Sequence, residues 1–133
     1  MTACYLDSSA LVKLLTPEAE TTVLRDHLTQ YSGHVTNRLA EVEVIRALLR
    51  RGEESAVLAD ALSEALPNLS ILELDAQLSE HAGRILPATL RSLDAIHLAS
   101  ALALAPDLGA VVTYDNRLAD AARAAGLNVV APA

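Results

Sequence analysis

Four stretches of this chain each carry a carboxylate that is hard to place on structural grounds alone. "ACYLD" sets Asp7 at the end of an apolar strand pattern, and Asp115 follows "GAVVT" with one residue, Tyr114, between. "RSLDAIHLASALALA" puts Asp94 near the start of an almost wholly apolar helix pattern, and "NRLAEVEVIRALLR" offers both Glu41 and Glu43. Asp7 and Asp115 fall at the carboxyl ends of strands, the rim where parallel α/β sheets bind ligands. Each also suits the N-cap of a following helix, although Ser8 and Ser9 stand ready to cap in place of Asp7. At about 100° per residue, Asp94 shares its line along the helix with Leu98, Ala101 and Ala105. A carboxylate without a partner in such a stripe costs on the order of several kcal/mol. Either the first helical turn relieves it, with Ser92 as N-cap and the helix dipole behind it, or it meets other carboxylates around a shared cation. Glu43 shares a narrow polar arc with Arg46 and Arg50, whereas Glu41 falls between Ile45 and Leu48. A pair between Glu43 and Arg46 at i,i+3 would account for the arc structurally. Spacing does not choose between the two glutamates.

Acidic side chains converging at one sheet edge suit Mg²⁺ or Mn²⁺, hard cations that take oxygen ligands. Ions held this way activate water and stabilise in-line displacement at a phosphodiester. Metal chemistry through His and Cys is poorly supported. Cys4 stands alone, the four histidines show no ligand spacing, and His97 reads as a core or supporting histidine.

The elements that must position these acids are legible as alternating short strands and helices. The strand patterns are "ACYLD", "HVT", "LSILEL", "GAVVT" and "LNVVA". Between them run "SSALVKLL", the amphipathic "EAETTVLRDHLTQY" with Val23, Leu24, Leu28 and Tyr31 on one face, and "NRLAEVEVIRALLRRG" from Asn37 as N-cap to Gly52. "ESAVLADALSEAL", "AQLSEHAGRIL" after Asp75 as cap, "LDAIHLASALALA" and "NRLADAARAAG" complete the helices. Without hairpin turn signals, this alternation predicts a three-layer α/β/α sandwich around a central parallel sheet. With 133 residues, residues 1–133 are expected to form one domain.

Composition narrows the function. The chain is 52% hydrophobic with neither Trp nor Phe, so Leu, Val, Ile and Ala must build the core. A formal charge of −7 argues against broad docking on nucleic acid. It leaves room for a polyanionic substrate where acids hold divalent cations that reverse the local sign. One cysteine, an N-terminus without a basic region and apolar runs too short to span a bilayer predict a soluble cytoplasmic protein, with no membrane partner.

The stretches "YLDSSALVKLL", "TNRLAEVEVIRALLR", "LRSLDAIHLASALAL" and "GAVVTYDNRLADAARAAGLNVVAP" together resemble the PIN-domain ribonucleases, most closely the VapC toxins of VapBC toxin–antitoxin pairs. They follow the family's order through nearly the whole chain, and the resemblance extends to a single PIN domain over residues 1–133. It implies metal-binding, catalytic acids at Asp7, Glu43, Asp94 and Asp115, and so favours Glu43 over Glu41, with Ser9 and Thr113 as supporting hydroxyls. It also implies endonucleolytic cleavage of RNA dependent on Mg²⁺ or Mn²⁺, homodimerisation, and neutralisation by a VapB-type antitoxin. Attack of a metal-activated water on phosphorus with the 3′-oxygen leaving is expected to give 5′-phosphate and 3′-hydroxyl products. Arg46 and Arg50, and secondarily Asn116 and Arg117, are candidates for RNA contact.

Other readings fit less well. A phospho-acceptor receiver domain would need an acidic pair near the first strand and a late Lys, yet the only lysine is Lys13. A haloacid-dehalogenase-type phosphatase would carry Asp two residues after Asp7, where Ser9 stands. No glycine-rich turn follows the first strand, as a dinucleotide site requires. The serious rival is a catalytically silent PIN-fold interaction module.

Overall fold

The computed structural model describes residues 2–133. Five strands form one all-parallel sheet: β1 (Ala3–Leu6), β2 (Gly33–Asn37), β3 (Leu69–Leu72), β4 (Leu108–Val112) and β5 (Val129–Val130). Their spatial order is β3-β2-β1-β4-β5, which puts the first strand of the chain at the centre. Seven helices connect them among the described residues: α1 (Ser8–Leu15), α2 (Thr21–Leu28), α3 (Arg38–Arg50), α4 (Ser55–Ala65), α5 (Ala76–Arg84), α6 (Ser92–Leu104) and α7 (Asn116–Ala124).

Strand alternation divides the core between two faces. Cys4 and Leu6 of β1 pack with Leu11, Leu14, Leu24 and Val44, the layer of α1, α2 and α3. Tyr5, between them in sequence, points the other way and packs with Val111 and Ala101 of α6. Leu98 of α6 meets Leu118 and Ala122 of α7, and Ala99 meets Leu78 and Ala82 of α5, closing the second layer. This is the three-layer α/β/α sandwich expected from the alternation of patterns. No helix among the described residues is long and apolar enough to cross a membrane.

Helix ends follow their capping residues. Asn37 accepts the Ala40 N–H and opens α3, and Asp75 accepts the Leu78 N–H and opens α5. α3 closes where Gly52 adopts φ 88°, with the Gly52 N–H donating to Leu49 and the Glu53 N–H to Leu48. Gly126 (φ 89°) ends α7 in the same way. This left-handed C-terminal turn suits glycine. Three expectations are corrected. α2 begins at Thr21 rather than Glu18, and its Val23 is exposed while Leu24 and Leu28 are buried. α5 ends at Arg84, two residues short of the expected span. α6 takes Arg91 rather than Ser92 as its N-cap, with no side-chain bond there.

Candidate active site

Register places the first acids side by side. Leu6 pairs with Val112, so the next residues out, Asp7 and Thr113, meet at the carboxyl end of the sheet. The Thr113 hydroxyl donates to Asp7 Oδ2 at 2.6 Å and accepts the Asp115 N–H at 3.0 Å. Ser9 Oγ mirrors it, donating to Asp7 Oδ1 at 2.7 Å and accepting the Tyr114 N–H at 2.9 Å. These two hydroxyls therefore tie Asp7 to the turn that carries Asp115. Asp7 also takes the Ala10 N–H and caps α1, so it fills the cap role that Ser8 and Ser9 were expected to offer. Burial pushes its carboxyl above the usual range, against the hydrogen bonds from Thr113 and Ser9. Asp115 caps α7 by accepting the Arg117 and Leu118 N–H groups.

Asp94 lies in the first turn of α6 and is 8% exposed. Its Oδ2 is buried without a hydrogen-bond partner, the one carboxylate oxygen in that state among the described residues. Arg91 Nε stands 3.8 Å from it, too far for a hydrogen bond and largely in solvent. Burial raises the Asp94 carboxyl, and the negative charges of Asp115 and Asp7 raise it further, against Arg91 and His97. Asp94 thus feels two further acids across the rim, and like charges so placed invite a counter-cation.

Glu43 enters from α3 and is separated from Glu41 by its partners. Its Oε1 accepts Ser8 Oγ at 2.6 Å and approaches His97 Nε2 at 3.1 Å. Burial would raise its carboxyl, yet the hydrogen bonds from His97 and Ser8 prevail and hold it below the usual range. Glu41 instead pairs with Arg38, which also binds Glu73. No Glu43–Arg46 pair forms among the described residues. His97 is 3% exposed and sits within the protein, as expected of a core or supporting histidine. Among the described residues no three His, Cys, Asp or Glu side chains stand together as a ready-made cage for an ion. What the rim holds is a set of oxygen donors with surplus negative charge and one orphaned buried oxygen. That combination fits a hard divalent cation.

Cationic side chains flank the acids on two sides. Arg46 and Arg50, with Arg51, line an open groove of about 620 Å³ that also includes Ser8, Glu43 and Leu93. Arg117 and Arg91 line a second groove of about 980 Å³ with Leu86 and Leu90. Asn116 opens α7 in an exposed position. Sequence reasoning missed Ser8, Arg91 and the partners of His97. Arg91 had a signal, its i,i+3 spacing to Asp94.

A PIN-domain family model matches residues 4–124. Ribonuclease VapC46 of Mycobacterium tuberculosis is 47% identical over 132 residues, covering 99% of both chains. Among solved structures, the M. tuberculosis sarcin–ricin-loop-cleaving toxin VapC20 superposes with a TM-score of 0.74 at 19% identity, covering 97% of this chain and 99% of that one. VapBC2 from Rickettsia felis, bound to a DNA fragment from its promoter, gives 0.71 at 13% identity over 98% and 99%.

Proposed function

The chain belongs to the PIN-domain family and, within it, to the VapC proteins, and from that membership we propose that it is a toxin of a type II toxin–antitoxin pair. In this reading residues 1–133 form a single PIN domain that hydrolyses RNA phosphodiester bonds as a cytoplasmic endoribonuclease. Asp7, Glu43, Asp94 and Asp115 hold Mg²⁺ or Mn²⁺. The ribonuclease name of its 47%-identical relative supports the activity. The VapBC complex among its structural neighbours supports a VapB-type antitoxin as partner, and homodimerisation accompanies it as a family expectation.

The observation that carries the reading is Asp94 Oδ2, a buried oxygen with no hydrogen bond, beside two further acids. A carboxylate is kept in that condition at a cost, and a divalent cation removes the cost. When bound, such an ion supplies Lewis-acid activation of a water and offsets charge on the displaced 3′-oxygen. The chain's own groups do the rest. Ser9 and Thr113 hold Asp7 still, and Ser8 and His97 hold Glu43. Arg46 and Arg50 on one flank, and Arg117 with Asn116 on the other, present polar and cationic groups to the RNA backbone. Such local contacts let a chain of net charge −7 accept a polyanion.

Cleavage of a structured RNA by Asp94→Asn and wild type, with Mn²⁺ and with chelator, tests the reading. Losing a direct ligand is expected to lower the rate by at least about 100-fold, since outer partners of metal ligands alone cost about 10–100-fold. Asp94→Asn cutting at the wild-type rate would overturn the assignment and favour the silent interaction module. Glu43→Gln should lose metal-dependent cleavage while Glu41→Gln keeps it.

A further inference from the structure

Behind Glu43 lies a buried chain of hydrogen bonds whose direction is set by a helix cap. Asn37 Oδ1 accepts the Ala40 backbone N–H at 2.8 Å, and an amide N–H can only donate. The Asn37 side chain is therefore oriented, and its Nδ2 must be the end facing the core. Nδ2 donates to the Tyr5 hydroxyl at 2.8 Å and lies 3.2 Å from His97 Nδ1. Tyr5 Oη stands 2.8 Å from the same Nδ1. The neighbouring Thr36 and Ser100 hydroxyls give their protons to the Leu6 and Ile96 carbonyl oxygens, whereas Asn37 Nδ2, which can only donate, faces both the Tyr5 oxygen and Nδ1. The Tyr5 oxygen accepts from Asn37, and its own proton goes to His97. With two donors against it, Nδ1 must present its lone pair, and the ring proton sits on Nε2. That nitrogen faces Glu43 Oε1 at 3.1 Å and Ser8 Oγ at 3.2 Å, both able to accept. Asn37, Tyr5 and His97 are each 3% exposed or less, so water does not compete for these bonds.

We propose that Asn37, Tyr5 and His97 form a one-way hydrogen-bond chain that holds His97 in its Nε2-protonated tautomer and thereby fixes the orientation of the Glu43 carboxylate. These are positioning residues, and their relevance to catalysis rests on Glu43 being a site acid. Both contacts to Glu43 fall on Oε1, which leaves Oε2 unengaged by the chain. Three elements contribute in turn, the N-cap of α3, the central strand and α6, so that α6 governs a side chain on α3.

The test separates the chain from the nuclease reading. Long-range ¹H–¹⁵N spectra of metal-free, ¹⁵N-labelled protein report the His97 tautomer directly, and Nε2 protonation is expected. Asn37→Asp keeps a side chain that caps helices well but puts an acceptor where the donor stood, so the proton should move to Nδ1. RNA cleavage should then fall by about 10–100-fold. His97→Leu should fall to a similar degree, and His97→Gln, which restores an N–H near the position of Nε2, should recover most of the loss. An Nδ1-protonated wild-type ring, an unchanged tautomer in Asn37→Asp, or a His97→Leu protein that cuts like wild type would each overturn the proposal. Should Asn37→Asp fail to fold, the wild-type spectrum and the two His97 variants still decide. If wild-type protein cuts no RNA, the nuclease reading fails while the spectra still judge the chain.

Discussion

At the scale of single residues, two acids of the rim are tuned in opposite directions, and pH should expose the difference. Burial, with the charge of Asp115, raises the Asp94 carboxyl in the folded chain. The folded state then holds that proton more tightly than the unfolded one, whose carboxyl titrates near 3.9. Stability from this group is present below the unfolded value and is lost as pH rises through the folded one. Asp94→Asn resembles the protonated form. In metal-free buffer its stability advantage over wild type should be absent at the acid end and grow towards neutrality. Glu43 has the reverse sign, because the bonds from His97 and Ser8 overcome burial and lower its carboxyl. Glu43→Gln should therefore be less stable than wild type at pH 7 and converge with it as pH falls through the folded value. Urea unfolding of both variants across the acid range checks the two trends, and parallel curves would refute them. Asp7, Asp94 and Asp115 were legible as singular carboxylates because strand ends and an apolar stripe made them conspicuous. The chain behind Glu43 was not, since Tyr5 and His97 are 92 positions apart and neither breaks a local pattern. Asp7 showed the opposite limit: its dual work as cap and rim acid is visible only once Ser9 and Thr113 are seen to bind it.

At the scale of elements, capping chemistry decides where helices stop, and two glycines give contrasting predictions. Gly52 closes α3 at φ 88° with nothing within 4 Å of a Cβ added there. Gly52→Ala meets no clash and still costs about 1 kcal/mol, because a left-handed conformation is unfavourable for an L side chain. Gly83, exposed within α5, also faces open space but has ordinary helical backbone. Gly83→Ala should stabilise by about 0.5–1 kcal/mol. Denaturant midpoints measure both, and RNA cleavage should be unaffected by either. All five strands and seven helices were readable from the alternation of apolar runs and helical periods. Element ends were less so. Val23 fits the apolar face of a longer helix, but α2 begins three residues later than that pattern suggests and leaves Val23 exposed. The choice between Glu41 and Glu43 also belongs at this scale, because Ser8 of α1 and His97 of α6 engage Glu43, while Glu41 pairs with Arg38 of its own helix, which also binds Glu73 just past β3.

At the scale of the whole molecule, the proposed cation links the site to global stability. A ligand that binds only the folded chain at 100 times its Kd adds ~2.7 kcal/mol. Thermal unfolding of wild type should rise with Mn²⁺ concentration, and that of Asp94→Asn should stay nearly flat. Equal responses would place the metal elsewhere. The order of strands in the sheet has a separate consequence during synthesis. β1 leaves the ribosome first but acquires its second neighbour only with β4, whose residues are Leu108–Val112. Thr113 and Asp115 follow at once. A nascent polypeptide arrested before that point has an open central strand and an unfinished rim. On the proposed function, a polypeptide released before β4 lacks both the fully paired central strand and the last of the four acids, and is harmless to the cell that makes it.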